Sequence, residues 1–265
     1  MRRQNKAIHP DKNKKKQTAD NRLRPWAVAV WLAVWELASL YIGQEILLVS
    51  PVAVLKRLGS LIFEASFWKT ICFSLFRIMG GFFLAVLAGV FGGSIASRLP
   101  KIQELFAPLI LAMKSVPVAS FVILILIWVP SENLSVTISF LMVFPVIYTN
   151  VLNGIQNTDK NLLEMAQVFQ VSGKNKIRYI YLSEVLPFFR AGCSVSLGLC
   201  WKAGVAAEVI GIPDGSMGER LYEAKVYLDT PDLFAWTMVI LIVSMIFEKI
   251  FLAALDKAVS WVERM

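Results

Sequence analysis

Long uncharged runs dominate this chain. A helix that crosses a membrane needs about 20 mostly apolar residues, and six stretches approach that requirement: 26–42, 70–97, 105–128, 134–153, 187–207 and 233–247, the last continuing past Glu248 to 255. The first opens on tryptophan and tolerates one acid, Glu36; the second holds an uncharged run over 78–97; the third carries Lys114; the fifth is interrupted by Arg190 and Lys202. Pro108 and Pro117 in the third run and Pro145 in the fourth remove backbone donors, which predicts local bends. The pattern therefore predicts an all-α polytopic membrane protein with about six transmembrane helices, its residues 26–265 forming one transmembrane domain.

Within the second run small residues recur every four positions, at Gly81, Ala85, Gly89 and Gly93, with Ala88, Gly92 and Ala96 beside them. Such a ladder lets two helix backbones approach closely. Spacing alone leaves open whether the partner helix belongs to the same chain or to a second copy.

Composition agrees with a lipid solvent. Hydrophobic residues make up 57% and charged residues 17%, against about 45–50% and 25% in soluble domains, and the mean hydropathy is +0.61. Of the formal +8, most sits in residues 1–25, where nine Lys/Arg (Arg2, Arg3, Lys6, Lys12, Lys14, Lys15, Lys16, Arg22, Arg24) face only Asp11 and Asp20. No aromatic residue is interleaved before Trp26, so nucleic acid is not the expected partner. A basic, disordered, cytoplasmic tail is. With it inside, six spans place Arg98, Lys101, Lys160, Lys174, Lys176, Arg178, Arg190, Lys249, Lys257 and Arg264 in cytoplasmic segments and only Lys56, Arg57, Lys69, Arg220 and Lys225 outside. Both termini are then cytoplasmic, in the plasma membrane of a prokaryote. Cys72, Cys193 and Cys200 show no C-x-x-C spacing and His9 is the only histidine, so no disulfide framework, metal site or cofactor is expected.

The most distinctive segment is the loop 153–187, too polar to span and too helix-favouring for a slack linker. Asp159 or Thr158 can cap a helix with Leu162, Leu163, Ala166 and Phe169 at helical spacing. Val171, Ser172 and Gly173 break it, and a second amphipathic helix follows through Ile177, Ile180, Tyr181 and Val185. Two short helices with a tip between them predict a protruding knob.

On these residues the chain resembles the membrane permease subunits of type I ABC importers. Their cytoplasmic E-A-A loop is matched by Glu164-Met165-Ala166, with Phe169, Val171-Ser172, Ile177, Arg178, Leu182 and Leu186-Pro187 at the expected offsets. The pattern's glycine position holds Gln170, and Gly173 falls three residues later. The resemblance covers roughly residues 65 to 255. It is nearest to the branch serving nitrate, sulfonate, taurine and thiamine-precursor importers, whose Ala-Ala-Glu after the fifth span corresponds to Ala206-Ala207-Glu208.

The resemblance implies a type I ABC importer permease fold. Its loop, through Glu164, Ala166, Phe169, Gln170, Val171, Ser172 and Gly173, would dock on a cytoplasmic ABC ATPase dimer. The chain would pair with a second permease copy, expected as a homodimer, and receive solute from an extracytoplasmic binding protein through the turn-rich segment 208–232. It would hydrolyse nothing itself. The residues agree, because the only Gly-Lys, Gly173-Lys174, has Val168 where a phosphate-binding loop needs its first Gly. No nucleophile–base pair or G-x-S-G elbow supports an enzyme.

Ionisable groups inside spans are costly and mark functional candidates. Arg77 and Arg190 stand close enough to span ends to snorkel. Lys114, Lys202 and Glu208 are candidates for the translocation path, where the lysines would favour an anionic solute; pairing of Lys202 with Glu36 or Glu208 would explain them equally. A passive channel or an ion-coupled carrier is the alternative function, since its spans would look alike. The loop is the feature neither requires.

Overall fold

A computed structural model describes residues 25–263, with side chains to 260; the tail predicted over 1–25 thus lies, but for Pro25, outside the described residues. Every regular element among them is helical: α1 (Pro25–Ile42), α2 (Pro51–Leu61), α3 (Ala65–Arg98), α4 (Pro100–Ser115), α5 (Val118–Ile125), α6 (Ser131–Gln156), α7 (Lys160–Val168), α8 (Gly173–Asn175), a π turn (Lys176–Tyr181), α9 (Leu182–Gly211), α10 (Met217–Val226) and α11 (Thr230–Glu263). Because α8, the π turn and α9 run on without a gap, five spans are long and apolar enough to cross a membrane: α1, α3, α6, the run Gly173–Gly211 and α11.

The stretch expected as a third continuous span, 105–128, is instead broken, because α4 and α5 meet at 107°. Pro117 has no N–H to donate and pushes the residue before it out of the helical region, and Val116 accordingly sits at φ −76°, ψ 131°. Pro108 and Pro145, by contrast, are absorbed inside α4 and α6. The second amphipathic helix of the 153–187 loop is also different from expectation. It has no end of its own, but feeds through the π turn into α9.

The core is the layer α3–α6–α9. A side chain added at Gly81 would meet the Val136 carbonyl and Ser139, one at Gly89 would meet Ile147 at 2.9 Å, and one at Gly93 would meet the Tyr148 carbonyl at 2.9 Å. The positions on α6 rise with those on α3, so the two helices run parallel in near backbone contact. The small-residue ladder, with the fully buried Ala85, is thus used inside this chain. Against α9, Gly192 faces Asn150 of α6 and Gly204 faces both Ser139 of α6 and Ile78 of α3, and α9 runs antiparallel to α6. The short α5 lies in the α6–α9 groove, where Val122 packs with Leu134, Ile138, Ala203 and Ala207.

The peripheral helices are pinned by polar bonds at one end of the bundle. Trp35 Nε1 donates to the Val49 carbonyl at 3.0 Å, Thr230 Oγ1 to the Ile46 carbonyl at 2.8 Å, and Arg57 pairs with Asp232 at 2.7 Å. Most of α1 remains exposed apolar surface, including Trp31, Leu37 and Tyr41, as a lipid-facing helix requires.

Two glycines one residue apart separate packing from helix propensity. Gly81→Ala places its methyl against the Val136 carbonyl and is expected to cost about 1–3 kcal/mol as overpacking. Gly80→Ala meets nothing within 4 Å and is expected to be neutral or to gain up to about 1 kcal/mol of helix propensity. Thermal unfolding in one detergent, followed for both variants, reads the difference; equal midpoints would refute the close α3–α6 contact.

Candidate functional site

At the end of the bundle holding residues 157–181, α7 is capped at both ends. The Asp159 side chain accepts from the Asn161 N–H at 2.8 Å, the N-cap expected from sequence. At the other end the Val171 N–H reaches the Ala166 carbonyl at 2.9 Å and the Gln170 N–H the Gln167 carbonyl at 3.0 Å. This is a complete Schellman closure, and it puts Gln170 in the left-handed region at φ 51°. The residue that replaces the family pattern's glycine therefore occupies the conformation in which glycine is free of strain.

That geometry shapes the tip. Ala166 is buried, and Glu164, Gln170, Ser172 and Gly173 are exposed. Val168 and Phe169 are 78% and 74% exposed and Met165 is 51% exposed, with Val171 half-buried beside them. Three large apolar side chains on a capped, protruding helix leave a surface suited to inserting into another protein.

At the opposite end, α9 closes on a strained turn. Ile212 lies at φ 46°, ψ 55° and its N–H bonds the Glu208 carbonyl at 2.8 Å. A β-branched residue in this region costs about 1–2 kcal/mol. The turn folds α10 back over α9, so that a Cβ at Gly218 would collide with the Glu208 side chain. Glu208 itself is 0% exposed. Its Oε2 accepts from Ser74 Oγ at 2.7 Å and from the Gly218 N–H at 3.3 Å, and Ser74 Oγ accepts from the Met217 N–H at 2.9 Å. One carboxylate thus ties α3 and α9 to the first turn of α10, where the helix dipole favours negative charge. Ser216 caps the same turn by accepting from the Glu219 N–H at 2.9 Å. Glu208 Oε1 and the Ser135 hydroxyl are buried without a hydrogen bond among the described residues.

The lysines stand elsewhere. Lys114 ends α4 at the break and donates to Thr149 Oγ1 at 3.2 Å. Lys202 is exposed on the flank of α9 that also shows Val195 and Leu199. It pairs with neither Glu36 nor Glu208: the Glu208 carboxylate is taken by Ser74 and Gly218, and no ion pair among the described residues includes Lys202 or Glu36. Arg77 sits over the Phe73 ring at 4.2 Å and reaches Asn133 at 3.5 Å. Arg190 does not snorkel free. It forms a two-pronged pair with Asp256 of α11, one prong at 2.9 Å.

Sequence reasoning did not find Asp256 or Ser74. Asp256 fell one residue past the expected end of the last span, and Ser74 is an uncharged residue in an apolar run; only its place one helical turn before Ile78 on the buried face of α3 signals it.

Long apolar helices, one broken pair and a short capped helix at one end define a polytopic membrane protein. Residues 81–261 match the family described as binding-protein-dependent transport system inner membrane component. The chain belongs to that family, whose members are non-catalytic permease subunits of ABC importers working with a separate ATPase subunit, and it is a multi-pass protein of the cell membrane. It is 25% identical over 88% of its length, and 85% of the relative's, to "Putative aliphatic sulfonates transport permease protein SsuC" of Bacillus subtilis. It is 28% identical to "Taurine transport system permease protein TauC" of Escherichia coli over 83% of this chain and 82% of that one. A "Nitrate import permease protein NrtB" of Synechococcus elongatus is 25% identical over 74% of this chain and 73% of its own.

Two substitutions test these ends. Glu208→Ala leaves the Ser74 hydroxyl proton and the Gly218 N–H without their acceptor in a buried place, at an expected cost of about 1–3 kcal/mol, whereas Glu208→Gln keeps an acceptor and most of the stability; hydrogen exchange at the Met217 and Gly218 amides reports it. Gln170→Gly removes the left-handed cost and is expected to slow exchange of the Val171 amide by about fivefold, equivalent to about 1 kcal/mol.

Proposed function

We propose that this permease couples to its ATPase through the α7 tip and carries a small anionic or heteroaromatic solute. The observation that carries the coupling is the exposed apolar surface of Met165, Val168 and Phe169 on a helix closed at both ends, with Glu164 exposed beside it. Ala166, Gln170, Val171, Ser172 and Gly173 shape that tip. Two copies of the chain would present two tips to an ATPase dimer on the cytoplasmic side, where both termini also lie. The continuous run from Gly173 to Gly211 then carries a push on the loop into the membrane.

The translocation path, on this reading, runs along the flank of α6 and α9 that holds Lys114, Thr149 and Lys202, between the two copies. Registers at Ser139–Gly204 and Asn150–Gly192 set the two lysines about 12 Å apart in depth at 1.5 Å per residue. Two cations without carboxylate partners among the described residues suit an anion, and the relatives whose names give sulfonates, taurine and nitrate support a sulfonate- or nitrate-like cargo; a relative named for formylaminopyrimidine keeps thiamine precursors open. Glu208 stands apart from this path. Its clamp instead holds α10, the helix of the extracytoplasmic 208–232 segment that would meet the solute-binding protein.

The test is co-expression with the products of its chromosomal neighbours, followed by co-purification and uptake of a labelled sulfonate into vesicles. The wild-type chain should retain the ATPase and transport only with ATP. Changing Glu164 to Ala with Phe169 and Val171 to Ser should leave insertion and dimerisation intact and cut uptake by about tenfold or more, the loss of roughly one buried apolar anchor. Unchanged uptake would reject the tip, and uptake without ATP would reject the ATP-driven reading.

A further inference from the structure

A cavity of about 750 Å³ opens between the Arg98 end of α3, the last turns of α6, and the π turn with the start of α9. Its wall is mostly apolar, including Val90, Val151 and Phe189, with Ser94 and Ser97 on the α3 side and Arg98 and Tyr181 among the lining. Val90 and Arg98 stand eight residues apart on α3, about 12 Å of helical rise. The site is thus elongated along the helix, mostly apolar in its lining and charged at its Arg98 end. Arg98 is the only charged residue in its lining and has no ion pair among the described residues.

The cavity is not the lysine-bearing flank. At about 100° per residue, Leu186 and Lys202 fall on nearly opposite sides of α9, and Val151 and Thr149 on opposite sides of α6. On the proposed reading, in which the lysine-bearing flank meets the second copy, the cavity opens away from that copy.

We propose that this cavity binds an anionic phospholipid, one acyl chain lying along Val90, Val151 and Phe189 and the headgroup phosphate resting on Arg98. Charge and shape select that occupant together. A soluble anion has no use for an apolar channel this deep, and a neutral chain leaves the guanidinium unpaired. Arginine between helix ends at a membrane surface takes anionic headgroups. The occupant would touch Ile177, Tyr181 and Leu182. Those residues belong to the π turn and the first residue of α9, so the lipid sits on the joint between loop and span.

The full-length chain, purified with mild detergent and exposed to mixed micelles of phosphatidylglycerol and phosphatidylcholine, is analysed by native mass spectrometry. Phosphatidylglycerol should be retained with about fivefold preference, the effect of one cation near an anionic headgroup. Arg98→Gln should abolish the preference, Val90→Trp should weaken retention by narrowing the apolar channel, and inorganic phosphate should not displace the lipid. A photoactivatable acyl chain should label the peptide containing Phe189. Headgroup-blind retention would overturn the proposal, as would unchanged retention in Val90→Trp or displacement by phosphate. So would absence of label at Phe189 because a second copy covers the cavity, seen as crosslinks between copies at Ser94→Cys.

Discussion

The structure depends on the absence of side chains along one face of α3. Gly81, Gly89 and Gly93 bring that helix so near to α6 that Cβ atoms there would enter the space of the Val136 and Tyr148 carbonyls and Ile147. In lipid no hydrophobic force separates helix–helix from helix–lipid contact, so close van der Waals fit must hold the pair. With α3 and α6 fixed as one parallel slab, α9 has a single groove to occupy. Its own Gly192 and Gly204 fit it there against Asn150, Ser139 and Ile78. The slab then leaves one further shallow groove, between α6 and α9, and the broken α4–α5 pair fills it with the eight residues of α5.

A tightly fitted slab makes its polar contacts count. Ser74, Ser135, Ser139 and Cys200 line its interior, and the buried Glu208 lies at its end. Cys200 Sγ reaches the Ile78 carbonyl at 3.5 Å and Ser74 bonds Glu208, both between α3 and α9, and Ser74 and Glu208 each take a further bond from the first turn of α10. The strained Ile212 exists to make those bonds reachable, since a relaxed turn before Pro213 would carry α10 away from the carboxylate. Strain of this size persists where surrounding contacts over-determine it, and the Glu208 and Ser74 bonds are such contacts.

How much of this the sequence shows differs from residue to residue. The glycine ladder, the polar 153–187 loop and the Asp159 cap are local patterns, so they can be read directly. Pro117 predicts a bend but not its size, because whether a proline kinks a span or breaks it depends on what receives the freed segment; here that is the α6–α9 groove. The loop's second helix reads as separate because its polarity changes at Leu186-Pro187, yet backbone continuity through a π turn leaves no trace in periodicity. Lys202 and Glu208 look like partners six residues apart, and 600° of helical rotation places them on different flanks. Arg190 reads as free because its partner, Asp256, lies 66 residues further on, on another helix.

Those flanks explain how one helix can serve two ends of a transport cycle. The 30 residues of α9 make a rod of about 45 Å, joined to the α10 clamp at one end and to the α7 tip, through the π turn, at the other. A rod of this kind moves as a unit when it has a stiff joint and a compliant one. The clamp is stiff, being buried and hydrogen-bonded on three helices. The π turn is compliant, since a single wide turn can shift register without unfolding its neighbours. On the proposed reading, motion at the tip reaches the clamp only to the extent that this turn resists deformation, and the residues that set its resistance are those facing the cavity beside Arg98.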